Sequence, residues 1–335
     1  MNSNVVRALA TCAVVAVLQT GCQRKNEVVV YTSVDQAVAE PILDGFEKES
    51  GVRVRAVFDT EETKSTGVLN RLIAEGSHPQ ADVFWSGDPV RPFLLMSRGF
   101  VTPYRSPNAE DILPIFKAPN DEWTGFAARA RVLIVNKNLI PTDPPKSIRD
   151  LGDARWKDKA AIANPLFGTT TMHVGALFAA WGDEKAQAFL KALKANGVRV
   201  ASSNGEVKRL VSGGEVAFGL ADTDDADEAL KEGAPVSIVY PDQDDLGTLL
   251  MPTTVLMMKG DPHPEPGKKL IDYLLTREVE RRLAEAAAHL PLRGGIPTPP
   301  NVRTAASFRF MQVDYAKVAA ELERIQPFLR EWVGL

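Results

Sequence analysis

The sequence predicts an α/β fold of two lobes, in which mostly parallel sheets are flanked by helices and a ligand cleft lies between the lobes. Two observations support this prediction. Val-rich apolar runs of strand length alternate with helical periodicity from Glu27–Thr32 onward, which is typical of buried parallel strands covered by helices. The same alternation begins again at residues 131–136 (RVLIVN), and 335 residues are enough for two such units.

The individual strands and helices are predicted from the spacing of apolar residues and from the length of each apolar segment. Short apolar runs bounded by turn residues predict strands, and apolar residues spaced three and four apart predict helices. The first series has strands at 27–32, 52–58 and 81–85 and helices at 37–49 and 69–74. The second has strands at 131–136, 160–164, 198–201, 216–220 and 236–240 and helices at 172–181, 184–195 and 206–211. A return strand after Gly247 and helices at 267–275 and 278–288 complete the pattern.

The return strand implies that the backbone crosses between the lobes more than once. We therefore predict that residues 26–125 and 249–300 form lobe 1, and that residues 126–248 and 301–335 form lobe 2. In open α/β sheets, ligands bind outside the carboxyl ends of the strands, where polar loops converge. The candidate binding residues at the ends of the first and third strands, or directly after them, are Tyr31, Ser33, Asp35 and Trp85.

Residues 1–21 are predicted to be a signal peptide of the lipoprotein type. One cation, Arg7, precedes an apolar run of eleven residues, which is too short to span a hydrocarbon core of about 30 Å. Gly21 and Cys22 then predict lipidation of Cys22, although Gln19 stands where an aliphatic residue is usual. The alternative is an ordinary signal peptide cleaved nearby. Lipidation predicts a protein of the periplasm or cell envelope, attached to the membrane through a lipid anchor only.

Composition and motifs argue against several classes of protein. The formal net charge is −4 and no basic cluster occurs, which argues against nucleic acid as a partner. The four histidines show no metal or catalytic spacing, and neither G-x-S-x-G nor H-E-x-x-H is present. We therefore expect a monomer that binds a small-molecule or metal ligand and has neither enzyme activity nor a catalytic cofactor.

The loop Gly168-Thr169-Thr170-Thr171 is a candidate anion site. It opens a predicted helix directly after a strand, so its backbone amides, hydroxyls and helix dipole would all favour a negative charge. The alternative is a plain helix N-cap, for which Thr is a common residue. Because no basic residue lies within the loop, we expect it to bind through hydrogen bonds rather than through a cation.

Asp224 and Asp225 are the candidate ligands for a cation. They belong to an acidic run, residues 222–228, that follows a predicted strand. An EF-hand is excluded because position six of such a loop would be Asp227 instead of Gly. The alternative is an acidic first helical turn, but five carboxylates within seven residues repel one another unless a cation or donor-rich ligand is bound.

Three segments carry a resemblance to a known family: 28–33 (VVVYTS), 82–85 (DVFW) and 214–220 (GEVAFGL). In order and spacing, the chain resembles the bacterial ferric-iron-binding periplasmic proteins, which have the type II periplasmic-binding fold. The resemblance implies two lobes joined by crossing strands, closure over the ligand, and docking onto the permease of an ABC importer. Together with the predicted lipidation of Cys22, it predicts a solute-binding lipoprotein.

The resemblance also bears on the ligand. In ferric-binding members, two adjacent tyrosines bind the metal, and they correspond here to Asp224 and Asp225; a family histidine falls near Asp35. Hard carboxylates suit Fe³⁺, so we predict ferric iron or a related metal, with a synergistic anion at residues 168–171. The alternative ligand bears a phosphate or phosphonate, such as an aminophosphonate, a sugar phosphate or a thiamine-like molecule. A role as a ligand sensor remains a further alternative.

Overall fold

The structure is a computed structural model that describes residues 26–59 and 67–335. A ten-stranded sheet runs through this part of the chain. The predicted signal peptide and Cys22 lie outside these residues. The strands are β1 (Glu27–Thr32), β2 (Arg53–Phe58), β3 (Val83–Ser86), β4 (Val101–Thr102), β5 (Thr124–Asn136), β6 (Ala160–Ala163), β7 (Arg199–Ala201), β8 (Phe218–Asp222), β9 (Val236–Val239) and β10 (Leu250–Met258).

Helices cover the sheet. They are α1 (Gln36–Ser50), α2 (Gly67–Glu75), α3 (Arg91–Ser97), α4 (Gly168–Trp181), α5 (Asp183–Ala195), α6 (Asn204–Ser212), α7 (Thr223–Lys231), α8 (Pro264–Leu274), α9 (Arg277–Ala287), α10 (Tyr315–Arg324) and α11 (Gln326–Val333). None of these helices has both the length and the apolar character that crossing a membrane requires.

The strand order is β2-β1-β3-β10-β5-β8-β6-β7, with β4 beside β10 and β9 beside β5. The outer strands pair in parallel, as β1 does with β2 and β3, and as β6 does with β7 and β8. Every pairing of β5 and β10 in this sheet is antiparallel. The sheet is therefore mixed rather than mostly parallel, because the two central strands run against their neighbours.

Strand β5 joins the two halves of the sheet. Its first part pairs with β10, from Thr124 opposite Val255 to Ala130 opposite Leu250. Its second part pairs with β8, beginning with Arg131 opposite Asp222. One apolar core surrounds β1, β3 and β10, and a second lies between β6, β8, α4 and α5. Residues near the middle of β5 therefore lie where the two halves meet.

A buried carboxylate fixes an irregularity in β5. The register between β5 and β10 shifts at Ala127, whose φ is +45°, a conformation that a residue other than glycine rarely adopts. Glu280 on α9 is fully buried, and its Oε1 accepts hydrogen bonds from the amides of Ala127 and Leu292, each at 3.0 Å. Burial raises the pKa of Glu280, while these amides and Arg293 favour its charged form.

We expect Glu280→Ala to lower the free energy of unfolding by about 2–5 kcal/mol, because it leaves two buried amides without their acceptor and removes a buried carboxylate that lies 3.5 Å from Arg293. Chemical denaturation measures the change. Glu285→Ala, which removes an exposed carboxylate from the same helix, is the matched control and should change stability by less than about 1 kcal/mol. Equal effects of the two substitutions would contradict this account of the irregularity in β5.

Candidate ligand-binding site

Two arginines lie at the junction of the two halves. Arg129 and Arg131 are two residues apart on β5, so their side chains lie on the same face of the sheet. Arg131 is fully buried, whereas the side chain of Arg129 is 22% exposed. Burying two cations requires acceptors nearby, and these acceptors define the site.

The guanidinium of Arg131 connects three elements that begin or end at the junction. Its Nη1 donates to Asp222 Oδ1 at 2.5 Å, at the end of β8. The same nitrogen donates to Thr169 Oγ1 at 3.0 Å and to Asn204 Oδ1 at 3.2 Å, in the first turns of α4 and α6. Its Nη2 donates to Thr170 Oγ1 at 3.1 Å. One buried cation thus fixes the loops around the candidate anion site.

The structure adds a cation to the surroundings of the candidate anion site. Residues 168–171 were expected to act without a cation, yet Arg131 reaches Thr169 and Thr170 from β5. Each of these hydroxyls accepts from Arg131 and still has its own proton to donate, since a hydroxyl is both donor and acceptor. Thr171 Oγ1 is buried and has no partner among the residues that the structure describes. The first turn of α4 therefore offers hydroxyl protons and unpaired helical amides to an anion.

Arg129 contacts both halves of the protein. Its Nη1 lies 3.3 Å from Asp222 Oδ2 and 3.8 Å from Asp224 Oδ2. Its Nη2 donates to the carbonyl oxygen of Gly87, directly after β3, at 3.0 Å. Burial alone would lower the pKa of Arg129, but the charges of Asp224, Asp222, Asp225 and Asp35 raise it above its ordinary value. Arg129 therefore stays charged.

Three carboxylates gather beside Arg129 at the start of α7. One oxygen from each of Asp222, Asp224 and Asp225 lies within 4.8 Å of the others. Asp225 Oδ2 accepts from the amide of Asp222 at 3.2 Å, and Asp224 Oδ1 is buried without a hydrogen-bond partner among the described residues. Asp222 pairs with both arginines, so Asp224 and Asp225 are the two that could hold a metal or an ammonium group.

The electrostatics of this group favour a cation. Burial raises the pKa of Asp224 to about 6, against the opposing effect of Arg129. Burial also raises the pKa of Asp225, and the charges of Asp224 and Asp222 raise it further. Each raised value means that the ionised carboxylate is disfavoured in the unliganded protein. A positive ligand would relieve this penalty.

Ser33 and Asp35 lie on the β1 side of the junction. Ser33 Oγ accepts from the amide of Gly87 at 2.9 Å, next to the carbonyl that Arg129 contacts. Asp35 is exposed at the start of α1, and its charge acts on Arg129. These two predicted site residues therefore lie near the arginines, across from α4 and α7.

Tyr31 and Trp85 point into the core instead. Tyr31 is fully buried, its hydroxyl donates to Glu75 at 2.7 Å, and burial raises its pKa to about 12. Trp85 is also fully buried, and its Nε1 donates to Thr253 Oγ1 at 2.6 Å. Both residues make their polar contacts away from the charged group, and their part in binding stays a prediction.

The structure adds Arg129, Arg131, Asn204 and Asp222 to the residues that the sequence analysis named. A signal for the arginines was present, since two arginines alternate with apolar residues in the interior of the strand TGFAARARVLIVN. Alternation of this kind places two charges on one face of a buried strand, where each needs a partner.

Comparisons with known proteins extend this picture. The family model described as "Bacterial extracellular solute-binding protein" matches residues 79–318. The chain is 26% identical to "Iron uptake protein A1" of Synechocystis over 85% of this chain and 81% of that protein. It is 27% identical to the "Putative 2-aminoethylphosphonate-binding periplasmic protein" of Salmonella typhi, over 87% and 81%.

Solved structures confirm the fold. The "Bordetella ferric binding protein" superposes with a TM-score of 0.75 at 28% identity, over 92% of this chain and 98% of that one. The apo ferric ion-binding protein A of Pasteurella haemolytica gives a TM-score of 0.82 at 24% identity, over 92% and 98%. The predicted two-lobed α/β fold and the resemblance to ferric-iron-type periplasmic proteins are thereby confirmed. The chain belongs to the bacterial extracellular solute-binding protein family.

Proposed function

We propose that this chain is the periplasmic solute-binding component of an ABC importer, and that its ligand is ferric iron or a related metal held together with an anion. The observation that carries the proposal is the group of three carboxylates within 4.8 Å of one another, beside the N-terminus of α4. The carboxylates suit a hard cation, and the start of α4 suits its anion. The similarity to an iron uptake protein supports the same ligand.

The charges of the cleft also favour a metal. The charges of Asp35, Asp222, Asp224 and Asp225 all act on Arg129, and Asp222 also pairs with Arg131. When all four carboxylates are ionised, they outnumber the two guanidinium groups and leave an excess of negative charge. A multivalent cation with one anion would neutralise this excess. Each of the five tyrosines has a hydroxyl or ring contact with a residue outside this group of carboxylates. A ferric ion here would be held by carboxylates rather than by phenolates.

A second candidate is a phosphonate- or phosphate-bearing organic ligand with an ammonium group. It is favoured by the pairing of Asp222 with both arginines, which leaves only Asp224 and Asp225 for the ligand. Two carboxylates suit an ammonium group, and the hydroxyls of Thr169–171 suit a phosphonate. The similarity to a putative 2-aminoethylphosphonate-binding protein supports this alternative.

The remaining parts of the proposal concern location and partners. We infer that Cys22 carries the lipid anchor and that the lobes close over the ligand before the protein docks onto its permease. A receptor in place of the permease would make the same protein a sensor. Membership of a solute-binding family supports transport or sensing rather than catalysis.

Asp225→Asn should weaken Fe³⁺ binding, offered as ferric citrate, by about ten-fold or more, because a neutral amide cannot balance the cation. Calorimetry measures the affinity, and Glu228→Gln, an exposed carboxylate on the same helix, is the control that should bind normally. A metal ligand is lost after chelator treatment, whereas 2-aminoethylphosphonate would still bind. Unchanged affinity of Asp225→Asn for both ligands would contradict the assignment of the acidic group.

Thr171→Val should weaken binding by about ten- to a hundred-fold while leaving the melting temperature of the unliganded protein unchanged. The reason is that the Thr171 hydroxyl has no protein partner within the described residues, so its hydrogen bond is available to a charged ligand. Thr170→Val is the informative comparison, since it also removes an acceptor of Arg131 and should lower the melting temperature. Normal binding by Thr171→Val would exclude this hydroxyl from the anion site.

The raised pKa of Asp224 predicts two effects of pH. A cation binds the ionised carboxylate, so affinity should fall as the pH falls through about 6. In the unliganded protein, a raised pKa contributes stability that is present below about pH 4 and is lost as the pH rises through about 6. Asp224→Asn should therefore raise the melting temperature by roughly 2 °C at pH 7.5 and have little effect at pH 4. Scanning calorimetry at the two pH values measures this difference, and a lower melting temperature at pH 7.5 would contradict it.

A further inference from the structure

His289 lies beside the charged group, although it is distant in sequence from every residue assigned to the site. It follows Ala288, which ends α9 with a φ of +52° and turns the chain toward β5. Leu290 then pairs with Ala128 on β5, through hydrogen bonds of 2.8 Å and 2.6 Å in the two directions. The pairing is antiparallel, so His289 is the neighbour of Arg129.

This register places His289 on the side of the junction that Arg129 faces. In antiparallel pairing, opposite residues share a face and successive residues alternate between faces. Leu290 and Ala128 therefore share one face, and His289 and Arg129 share the other. The charges of Arg129, Asp35 and Asp222 all act on the imidazole, which supports the same placement.

One ring nitrogen of His289 is buried and unsatisfied within the described part of the chain. The residue is only 8% exposed, and its Nδ1 is buried with no hydrogen-bond partner among the residues that the structure describes. Buried polar atoms without a partner are rare in folded proteins, and each calls for an explanation such as a missing ligand. Burial, with a contribution from Arg129, lowers the pKa of His289 to about 3, so the ring is neutral and has a lone pair to offer.

We propose that His289 is a ligand-binding residue of the cleft, whose neutral imidazole supplies a nitrogen to the bound metal from the side opposite Asp224 and Asp225. This inference rests on the proposed metal–anion ligand and adds nitrogen to a set of oxygen donors. It also assigns binding residues to both sides of the junction, with His289 on the side of Asp35. A mixed set of imidazole and carboxylate donors suits a transition metal better than Mg²⁺ or Ca²⁺.

The test uses the mature protein labelled with ¹⁵N at histidine only and loaded with Fe³⁺ as ferric citrate. Pulsed EPR should detect coupling of the iron to a ¹⁵N nucleus in the wild type and none in His289→Asn. The variant should also bind Fe³⁺ at least ten-fold more weakly, since even residues that only support metal ligands commonly contribute that much. His173→Asn is the matched control, because His173 is equally buried and its Nδ1 also lacks a partner among the described residues. It should keep the coupling.

Several outcomes would overturn the inference. A wild-type spectrum without nitrogen coupling would do so by itself, even if His289→Asn failed to fold. Coupling that persists in His289→Asn, or that disappears in His173→Asn, would assign the nitrogen to another histidine. In each of these cases the proposed function stands, provided that Asp225→Asn still weakens Fe³⁺ binding. If the wild type bound no Fe³⁺ and Asp225→Asn changed nothing, both the metal ligand and the role of His289 would fail together.

Discussion

The buried ion pair of Arg131 and Asp222 is the interaction on which the cleft depends. Taking either charge out of water alone would cost several kcal/mol, and their attraction offsets this only with good geometry and further hydrogen bonds. Thr169, Thr170 and Asn204 supply those hydrogen bonds. Strands β5 and β8 and the first turns of α4 and α6 are thereby held in one arrangement. The position of the candidate site is a consequence of satisfying this buried pair.

The same pair divides the acidic residues into two roles. Asp222 forms ion pairs with both arginines, and each of its two carboxylate oxygens faces one guanidinium group. Asp224 and Asp225 are left with partial compensation from Arg129, and burial raises the pKa of each. A cleft that held only balanced pairs would have little preference for a charged ligand. Because Asp222 is fully paired, the floor of the cleft is held in one arrangement. Because Asp224 and Asp225 are not fully paired, a positively charged ligand would stabilise their ionised forms.

Much of this could be predicted from the sequence, because the signals were local. Alternating strands and helices specify the α/β class, and Asp224, Asp225 and residues 168–171 were assigned to one cleft from their positions after strands. The partners of Arg129 and Arg131 could not be predicted, since they depend on the register that places Arg131 opposite Asp222. The antiparallel direction of β5 and β10 is likewise a property of pairing, not of composition. Tyr31 and Trp85 are fully buried at the ends of their strands, a burial that their position in the sequence does not indicate, and their part in binding stays a prediction.

The place of β10 in the sheet has a consequence for folding. Strands β3 and β5 become neighbours only through β10, which begins at Leu250. The N-terminal part of the sheet therefore stays incomplete until a strand more than a hundred residues further along the chain joins it. The chain must lose the conformational entropy of closing this long loop before the contacts of β10 can stabilise the sheet. Such non-local strand pairing slows folding. An incomplete sheet also has an open edge, whose unpaired backbone groups can pair with strands of other chains. The chain is therefore most prone to aggregation before β10 has joined the sheet.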